Sequence, residues 1–240
     1  MFSISNISFR YSHQKEFVLK RMSFTFAPGL YGLLGPNGAG KSTLIRLLTA
    51  SVPCQKGHIS WNNRRVGVHS QWFYRTLGYA PQHACFYPEF TGWQMMQYFC
   101  ELKEIPPKKQ KDEILRCSSL FEITDCLNRP VGTYSGGQQQ RLMLAQSLLG
   151  FPRLIILDEP SAGLDPKEQV RFRKIARAYA DDGCVVILSS HVVSDLQNAD
   201  QVLLINHGEI ISADSIDHLC AQYQCSCLEQ VYIHIYAEES

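Results

Sequence analysis

The sequence predicts an α/β fold in which helices cover both faces of a mainly parallel β-sheet. Two observations support this prediction. Short, continuously apolar segments recur in the second half of the chain, at residues 154–157, 184–188 and 202–205. Segments with apolar residues at helical spacing alternate with them, at 136–149 and 166–180. This alternation is typical of a parallel sheet that is buried on both faces.

The first half of the chain predicts an antiparallel part and the helix that follows the first buried strand. Residues 2–9 indicate an early strand with a kink, and residues 22–26 indicate its partner. The short apolar run 30–35 leads into a glycine-rich turn. Residues 41–50 follow, with leucines at helical spacing.

A helical insertion separates these elements from the second half. Residues 91–122 are predicted to be helical, with a break at two consecutive prolines. The chain has no internal repeat and no low-complexity linker. We therefore expect one domain over residues 1–213 with a helical lobe at about 84–150, followed by a short C-terminal extension over 214–240.

The composition argues against several classes of protein. The chain has 240 residues, with 23 Lys and Arg against 22 Asp and Glu, and this balance argues against nucleic acid or an anionic lipid surface as the main partner. Charged residues make up 19%, below the roughly 25% of average soluble domains. Such a deficit is compatible with extra buried surface, for example an interface.

Apolar runs and cysteines indicate the environment of the protein. No apolar run approaches the roughly 18 residues of a membrane span, and the first residues do not read as a signal peptide. Nine cysteines without a C-x-x-C pair predict reduced thiols in a cytoplasmic protein. His218, Cys220, Cys225 and Cys227 lie close together, but their spacing matches no zinc pattern, so we interpret them as free thiols.

A phosphate-binding motif begins at Gly35. The nine residues GPNGAGKST fit G-x-x-x-x-G-K-[ST] between a predicted strand and a predicted helix. Gly35, Gly38 and Gly40 let the backbone curl so that its N–H groups point inward at a helix N-terminus. Lys41 would reach the terminal phosphates, and the Ser42 hydroxyl would ligate Mg²⁺. The motif predicts a nucleoside triphosphate site.

Two acids follow the strand predicted at 154–157. Asp158 suits a carboxylate that holds Mg²⁺ through its water shell. Glu159 would face the terminal phosphate, where a base could polarise water. A lone acidic pair is more often a solvated turn, but the phosphate motif makes that the minor interpretation. A GTPase is disfavoured because no Asn is followed by Lys, as a guanine-reading N-K-x-D motif requires.

The segment YSGGQ predicts a second anion site. Ser135 occupies a helix N-cap position, and Gly136, Gly137 and Gln138 follow. Two phosphate cradles for one nucleotide site need an explanation. If two chains pair head to tail, each second cradle closes the site of the other chain.

These motifs resemble those of the nucleotide-binding subunits of ABC transporters, in the same order and over residues 2–213. YSGGQ stands where the family has LSGGQ, and Gln82 in GYAPQ resembles the Q-loop. SAGLD, which ends at Asp165, resembles the D-loop, and His191 in LSSHVVSD resembles the H-loop switch. The resemblance implies a P-loop NTPase core, an antiparallel β subdomain and a helical subdomain that carries the signature motif.

The resemblance also implies roles. Tyr11, which we expect to follow Phe9 on the same strand face, would stack on adenine, and Phe17 is the spare candidate. Glu159 would be the catalytic base, while His191 would hydrogen-bond the γ-phosphate. The implied ATP ligands are Tyr11, Gly35, Pro36, Asn37, Gly38, Ala39, Gly40, Lys41, Ser42, Thr43, Ser135, Gly136, Gly137 and Gln138. The implied Mg²⁺ site is formed by Ser42, Gln82 and Asp158, and Asp165 would reach across the dimer.

The chain departs from the family pattern at few positions. Tyr134 replaces the usual Leu, and Asp195 stands where many relatives have Glu after the switch histidine. Neither change removes a donor, a base or a metal ligand. We therefore expect an active ATPase.

An aromatic segment follows Gln82. Residues 83–99 hold six aromatic residues together with Met95 and Met96, and both types are enriched at interface cores. Trp93 and Met96 are helically spaced, so the core of the lobe explains about half of the segment. The resemblance implies that this lobe docks the cytoplasmic helices of a membrane subunit.

Three functions remain open. An exporter subunit is favoured by the YSGGQ variant, the GYAPQ context and the short ending at 228–235. An importer subunit often carries a longer C-terminal domain, and a soluble relative acting on ribosomes or DNA commonly has two cassettes. The expected partners are a second ATPase subunit, identical or different, and an integral membrane permease, without nucleic acid. We expect ATP and Mg²⁺ as cofactors and a location at the cytoplasmic face of the membrane.

Overall fold

The computed structural model describes residues 1–83 and 85–236. Residue 84, where the helical lobe is predicted to begin, and 237–240 of the predicted extension lie outside the described residues. The strands are β1 (Phe2–Phe9), β2 (Leu19–Phe26), β3 (Gly29–Leu34), β4 (Lys56–Trp61), β5 (Arg64–Val66), β6 (Leu77–Ala80), β7 (Leu154–Asp158), β8 (Val185–Ser189), β9 (Gln201–Asn206) and β10 (Glu209–Asp214). The helices are α1 (Lys41–Leu48), α2 (Gln71–Thr76), α3 (Gly92–Leu102), α4 (Pro107–Leu120), α5 (Gly136–Ser147), α6 (Pro166–Asp181), α7 (Ile216–Gln222) and α8 (Leu228–Tyr236).

The central sheet confirms the predicted mainly parallel arrangement. Its six strands lie in the order β10-β9-β3-β8-β7-β6, and every neighbouring pair is parallel except β9 with β10. Each residue of β3, β7 and β8 is buried, as expected for strands covered on both faces. Parallel pairing brings the carboxyl ends of these three strands to one edge, where Asp158 pairs in register with Ser189.

A second, antiparallel sheet has the order β2-β1-β4-β5. The predicted kink in β1 is confirmed, because Asn6 has a φ of 50° and the pairing register shifts between Ile4 and Ile7. The sequence indicated only two of these strands. The β4 strand joins them because Ile59 and Trp61 bury their side chains against the same apolar cluster as β1.

The helical lobe contains α3, α4 and α5, and the predicted break at the prolines is confirmed. Pro107 begins α4, where its missing N–H has no cost. Thr91 caps α3 through a reciprocal capping box with Gln94. Met95 and Met96 are both buried in the core of the lobe. This agrees with the interpretation of Met96 as a core residue, and neither methionine is available to an interface.

The described part of the C-terminal segment packs back onto the central sheet. Leu219, Leu228 and Val231 are buried in the same apolar cluster as the helical lobe and one face of the sheet. The buried Tyr236 hydroxyl lies 3.1 Å from the Ile205 carbonyl oxygen and 3.4 Å from that of Leu34. Leu34 directly precedes the phosphate-binding loop, so α8 contacts the base of that loop.

Two further features concern the whole described chain. Among the described residues, no helix combines the length and apolar character needed to cross a bilayer. All nine cysteines are free thiols. Near the C-terminal cysteines, His218 Nδ1 lies 3.1 Å from Asp214 Oδ1, and nowhere in residues 1–83 and 85–236 do three His, Cys, Asp or Glu residues form a metal-binding group.

Replacing Tyr236 with Phe tests how α8 is attached. The change removes only the hydroxyl, so we expect the free energy of unfolding to fall by about 1 kcal/mol, the usual net value of one hydrogen bond. Urea denaturation measures it. Tyr232→Phe is the matched control, since its ring packs 4.8 Å from that of Tyr236 on the same helix. Equal midpoints for the two variants would contradict the contact.

Candidate nucleotide site

The phosphate-binding loop connects β3 to α1. Gly38 and Gly40 have φ values of 84° and 106°, a left-handed region that glycine enters without steric cost. At Gly35, a Cβ would overlap the Ile205 carbonyl oxygen. The first turn of α1 has neither a side-chain cap nor an acidic residue. Its N–H groups and the positive end of the helix dipole therefore face the loop, as anion binding requires.

Lys41 is held inside this loop. Its Nζ donates hydrogen bonds to the carbonyl oxygens of Gly35, at 2.5 Å, and Pro36, at 3.0 Å. Burial lowers the pKa of Lys41, while the nearby carboxylates of Glu159 and Asp158 raise it. The ammonium group thus lies between backbone carbonyls and the two acids predicted to act on the terminal phosphate.

Asp158 ends β7, Glu159 directly follows the strand, and both acids are buried. The Ser189 hydroxyl donates to Asp158 Oδ1 at 2.6 Å and accepts the Glu159 N–H at 3.0 Å. Burial raises the pKa of Asp158, the Ser189 hydrogen bond and Lys41 lower it, and Glu159 raises it. Glu159 has a φ of 51°, an uncommon value for this residue type that is often found at functional sites.

Glu159 and His191 are brought together although 32 positions separate them. Glu159 Oε2 lies 2.5 Å from His191 Nδ1. The His191 side chain is 63% exposed and that of Glu159 only 12%. His191 is therefore an exposed residue next to a buried acid. A histidine that follows an apolar strand is more often buried in the core with its hydrogen bonds satisfied, and His191 is not of that kind.

The structure corrects the position expected for Tyr11. The β1 strand ends at Phe9, so Tyr11 lies beyond the strand and does not share its face. Its ring meets that of Phe9 edge to face, with centroids 5.0 Å apart. Its hydroxyl lies 3.2 Å from Thr43 Oγ1 and accepts a hydrogen bond from Arg46 Nη1 at 3.2 Å. The alternative aromatic, Phe17, contacts two cations and lines the same cleft as Tyr11.

A cleft of about 730 Å³ brings most of the predicted residues together. Gly35 and Ala39 lie beneath it and are buried, while Asp158 and His191 lie next to Glu159. None of the described residues that line the cleft belongs to the segment 135–138. The predicted site residues that do line it are Tyr11, Pro36, Asn37, Gly38, Gly40, Lys41, Ser42, Thr43, Gln82 and Glu159.

The predicted second anion cradle is held in place by contacts within its own chain. Ser135 accepts the Gln138 N–H at 3.3 Å, and the Gln138 side chain accepts the Ser135 N–H at 3.0 Å. The Tyr134 hydroxyl donates to the Cys126 carbonyl at 2.5 Å, and burial raises the pKa of Tyr134 to about 12. Tyr134 thus anchors the turn before Gly136 and Gly137.

Sequence reasoning missed two residues of the site. Ser189 contacts both acids, and its place two residues before His191 on the strand next to β7 is the signal that could have identified it. Arg46 holds the Tyr11 hydroxyl from the far end of α1. No pattern in the sequence indicates this second contact.

A loop that cradles phosphate before a helix, with two acids at the end of a neighbouring strand, defines the class of P-loop nucleoside triphosphatases. Within this class the chain belongs to the ABC transporter family, because the family model described as ABC transporter matches residues 19–162. It is an ATP-binding domain of that family, whose members hydrolyse ATP, and the prediction of an ATPase of this type is confirmed.

Individual relatives agree with this assignment. The chain is 33% identical over 86% of its length to an uncharacterized ABC transporter ATP-binding protein from Nostoc sp., and covers 62% of it. It is 28% identical to the linearmycin resistance ATP-binding protein LnrL of Bacillus subtilis, over 92% of this chain and 71% of that one. The solved structure of an ATP-binding subunit of an ABC transporter superposes with a TM-score of 0.90 at 22% identity, over 98% of this chain and 99% of that one.

The chain spans only part of the first curated relatives that it matches. It covers 62% of the Nostoc protein and 33% of a further relative, from Dictyostelium discoideum. The shared part is thus the ATP-binding domain.

Replacing Ser189 with Ala tests the contact between the two acids. We expect hydrolysis of Mg²⁺-ATP to fall about tenfold, equivalent to ~1.4 kcal/mol in the barrier, because Asp158 loses a donor and the Glu159 N–H loses its acceptor. Steady-state phosphate release measures it. Ser147→Ala is the control, since it removes a buried hydroxyl from the helical lobe. Unchanged hydrolysis by the Ser189 variant would contradict the role.

Proposed function

We propose that this chain is the ATP-hydrolysing subunit of an ABC membrane transporter and that it works by closing head to tail on a second ATPase subunit. One observation carries the proposal. The sequence predicts two anion cradles, one at Gly35 and one at Ser135, and the described lining of the nucleotide cleft includes residues of the first but none of the segment 135–138. A second subunit, identical or different, would supply the missing cradle over bound ATP, and Asp165 would reach across the same interface.

The residues of the cleft fit ATP and Mg²⁺. The Ser42 hydroxyl, the Gln82 amide and the Asp158 carboxylate are oxygen donors of the kind that Mg²⁺ prefers. The metal would offset the charge of the phosphates. Lys41 would bind the terminal phosphates, and Tyr11 would stack against adenine. ATP then stabilises the closed dimer because only that state satisfies all phosphate contacts.

Hydrolysis reopens the dimer. Glu159 would orient the attacking water and accept its proton, while His191 would bind the γ-phosphate in line with the attack. Loss of the γ-phosphate removes contacts that hold the two subunits together. The chain thereby converts ATP hydrolysis into a cycle of closure and opening that a membrane partner can use.

Glu159→Gln tests the base. The amide keeps the shape of the side chain but cannot accept the proton, so we expect turnover to fall at least a hundredfold while ATP still binds. Size-exclusion chromatography with ATP should then show a trapped dimer. Glu229→Gln, an exposed site on α8, is the matched control. Full hydrolysis by the Glu159 variant would exclude it as the base.

This chain has a groove that suits a membrane partner. An apolar groove of about 510 Å³ lies between the central sheet and the helical lobe, lined among others by Pro81, Phe86, Phe99 and Leu102. Pro81 directly precedes Gln82 of the nucleotide cleft. An apolar groove of this kind suits an amphipathic helix. We propose that a cytoplasmic helix of an integral membrane permease docks here and holds the chain at the cytoplasmic face of the membrane.

Export is the direction we propose. LnrL, named for resistance to linearmycin, is similar over 92% of this chain, and removing a toxic compound from the cell is a direct route to resistance. The motifs YSGGQ and GYAPQ, which resemble those of export ATPases, also favour export. Co-purification with a polytopic membrane protein supports a transporter, whereas co-purification with ribosomes would favour a soluble function.

Tyr87→Asp tests the docking surface. Tyr87 directly follows the groove residue Phe86 and is 52% exposed, and its ring centroid lies 5.2 Å from that of Phe90. A buried charge without a partner is costly at an interface, so we expect transport by the assembled complex to fall at least tenfold while ATP affinity is unchanged. Ile233→Asp, at a 60% exposed position on α8, is the control. Normal transport by the Tyr87 variant would show that the permease docks at another surface.

A further inference from the structure

We infer that Asp195 is a positioning residue that fixes the spacing between Glu159 and His191. The inference rests on the proposed roles of these two residues. In the sequence, Asp195 is notable only because many members of the family have Glu at this position after the switch histidine. The hydrogen-bond partners of the Asp195 carboxylate are Ser161, Ser190 and Arg173, none of which is among the residues proposed to bind ATP or Mg²⁺.

The Asp195 carboxylate is almost completely buried, with 2% of the residue exposed. Its Oδ2 accepts hydrogen bonds from two hydroxyl groups, those of Ser161 and Ser190, the second at 2.8 Å. Its Oδ1 lies 3.4 Å from Arg173 Nη1 on α6. A buried charge is tolerated only when it is satisfied in this way.

The two hydroxyls belong to the two segments that carry the catalytic pair. Ser161 follows Glu159 by two residues, and Ser190 directly precedes His191. The Ser190 hydroxyl also accepts the Val192 N–H at 2.9 Å, so it bridges the backbone on both sides of His191. A single carboxylate oxygen therefore connects the loop after β7 with the loop after β8.

Two other contacts connect these parts of the chain. The Glu159 N–H donates to the Ser189 hydroxyl at 3.0 Å. Glu159 Oε2 lies 2.5 Å from His191 Nδ1, in a contact between the two side chains that are proposed to act on water and phosphate. The Asp195 connection uses neither of these side chains and is buried. It can therefore hold the spacing of the two loops while the catalytic side chains engage the substrate, which is the supporting function expected behind a preorganised site.

Ser161→Ala is the most selective test, because it removes the tie to the Glu159 loop and leaves the Asp195 charge satisfied by Ser190 and Arg173. In the full chain we expect kcat for Mg²⁺-ATP to fall about tenfold, with KM unchanged within about twofold, since the phosphate-binding loop is untouched. Ser161→Thr, which retains the hydroxyl, should restore most of kcat.

Ser118→Ala separates positioning from general destabilisation. Ser118 is fully buried in the helical lobe, and its hydroxyl lies 3.0 Å from Thr124 Oγ1. We expect this control to lower the melting temperature as much as Ser161→Ala does but to leave kcat unchanged. The inference is overturned if Ser161→Ala keeps the kcat of the parent, if Ser118→Ala loses as much kcat, or if Ser161→Thr fails to restore it.

The same assays distinguish this inference from the proposed function. If Glu159→Gln hydrolyses ATP normally, Glu159 is not the base. The positioning role of Asp195, which depends on that assignment, is then rejected as well. If Glu159→Gln is inactive but Ser161→Ala is fully active, the base stands and only the positioning role of Asp195 is rejected. Neither result depends on the permease or on the direction of transport.

Discussion

Parallel pairing of β3, β7 and β8 is the constraint on which the nucleotide site depends. It brings three carboxyl strand ends to one edge of the central sheet. The phosphate-binding loop leaves the first strand there, Asp158 ends the second, and Ser189 ends the third. A shift of one residue in the pairing of β7 with β8 would turn Asp158 or Ser189 to the opposite face and separate them.

This dependence explains which parts of the site could be predicted from the sequence. The loop at Gly35 and the acids Asp158 and Glu159 are local, because neighbours in the chain define their chemistry. Ser189 acts through strand register, and Arg46 acts through the packing of α1 under Tyr11. The place of Ser189 two residues before His191 is a signal in the sequence, but its contact with both acids follows from the pairing of β7 with β8. The contact of Arg46 follows from tertiary packing alone, and no periodic pattern encodes it.

The same distinction holds for the fold. Buried strands and long helices were predicted from continuous apolar runs and helical spacing, and they are present at nearly the predicted positions. Strands β4 and β5 were missed because they contain few apolar residues. Those residues are buried only by packing in the same cluster as β1. Tyr11 was placed on a strand that ends at Phe9, since an aromatic at alternate spacing does not show where pairing stops.

The edge strand β6 shows how the docking groove and the nucleotide cleft can communicate. It pairs with β7 on one side, and side chains of the helical lobe satisfy carbonyls on its open side. Lys103 donates to the Leu77 oxygen at 2.9 Å, and Gln146 donates to that of Tyr79 at 2.7 Å. Burial lowers the pKa of Lys103 to about 8.

Both donors of this contact line the groove, and β6 leads directly into Pro81 and Gln82. The permease helix proposed to dock in this groove would therefore act on the strand that leads to Gln82. An unprotected edge strand would expose these carbonyls to other chains. The hydrogen bonds from Lys103 and Gln146 cover them and also connect the helical lobe to the central sheet. The two hydrogen bonds that protect the edge would thus also connect the proposed docking groove to the strand before Gln82.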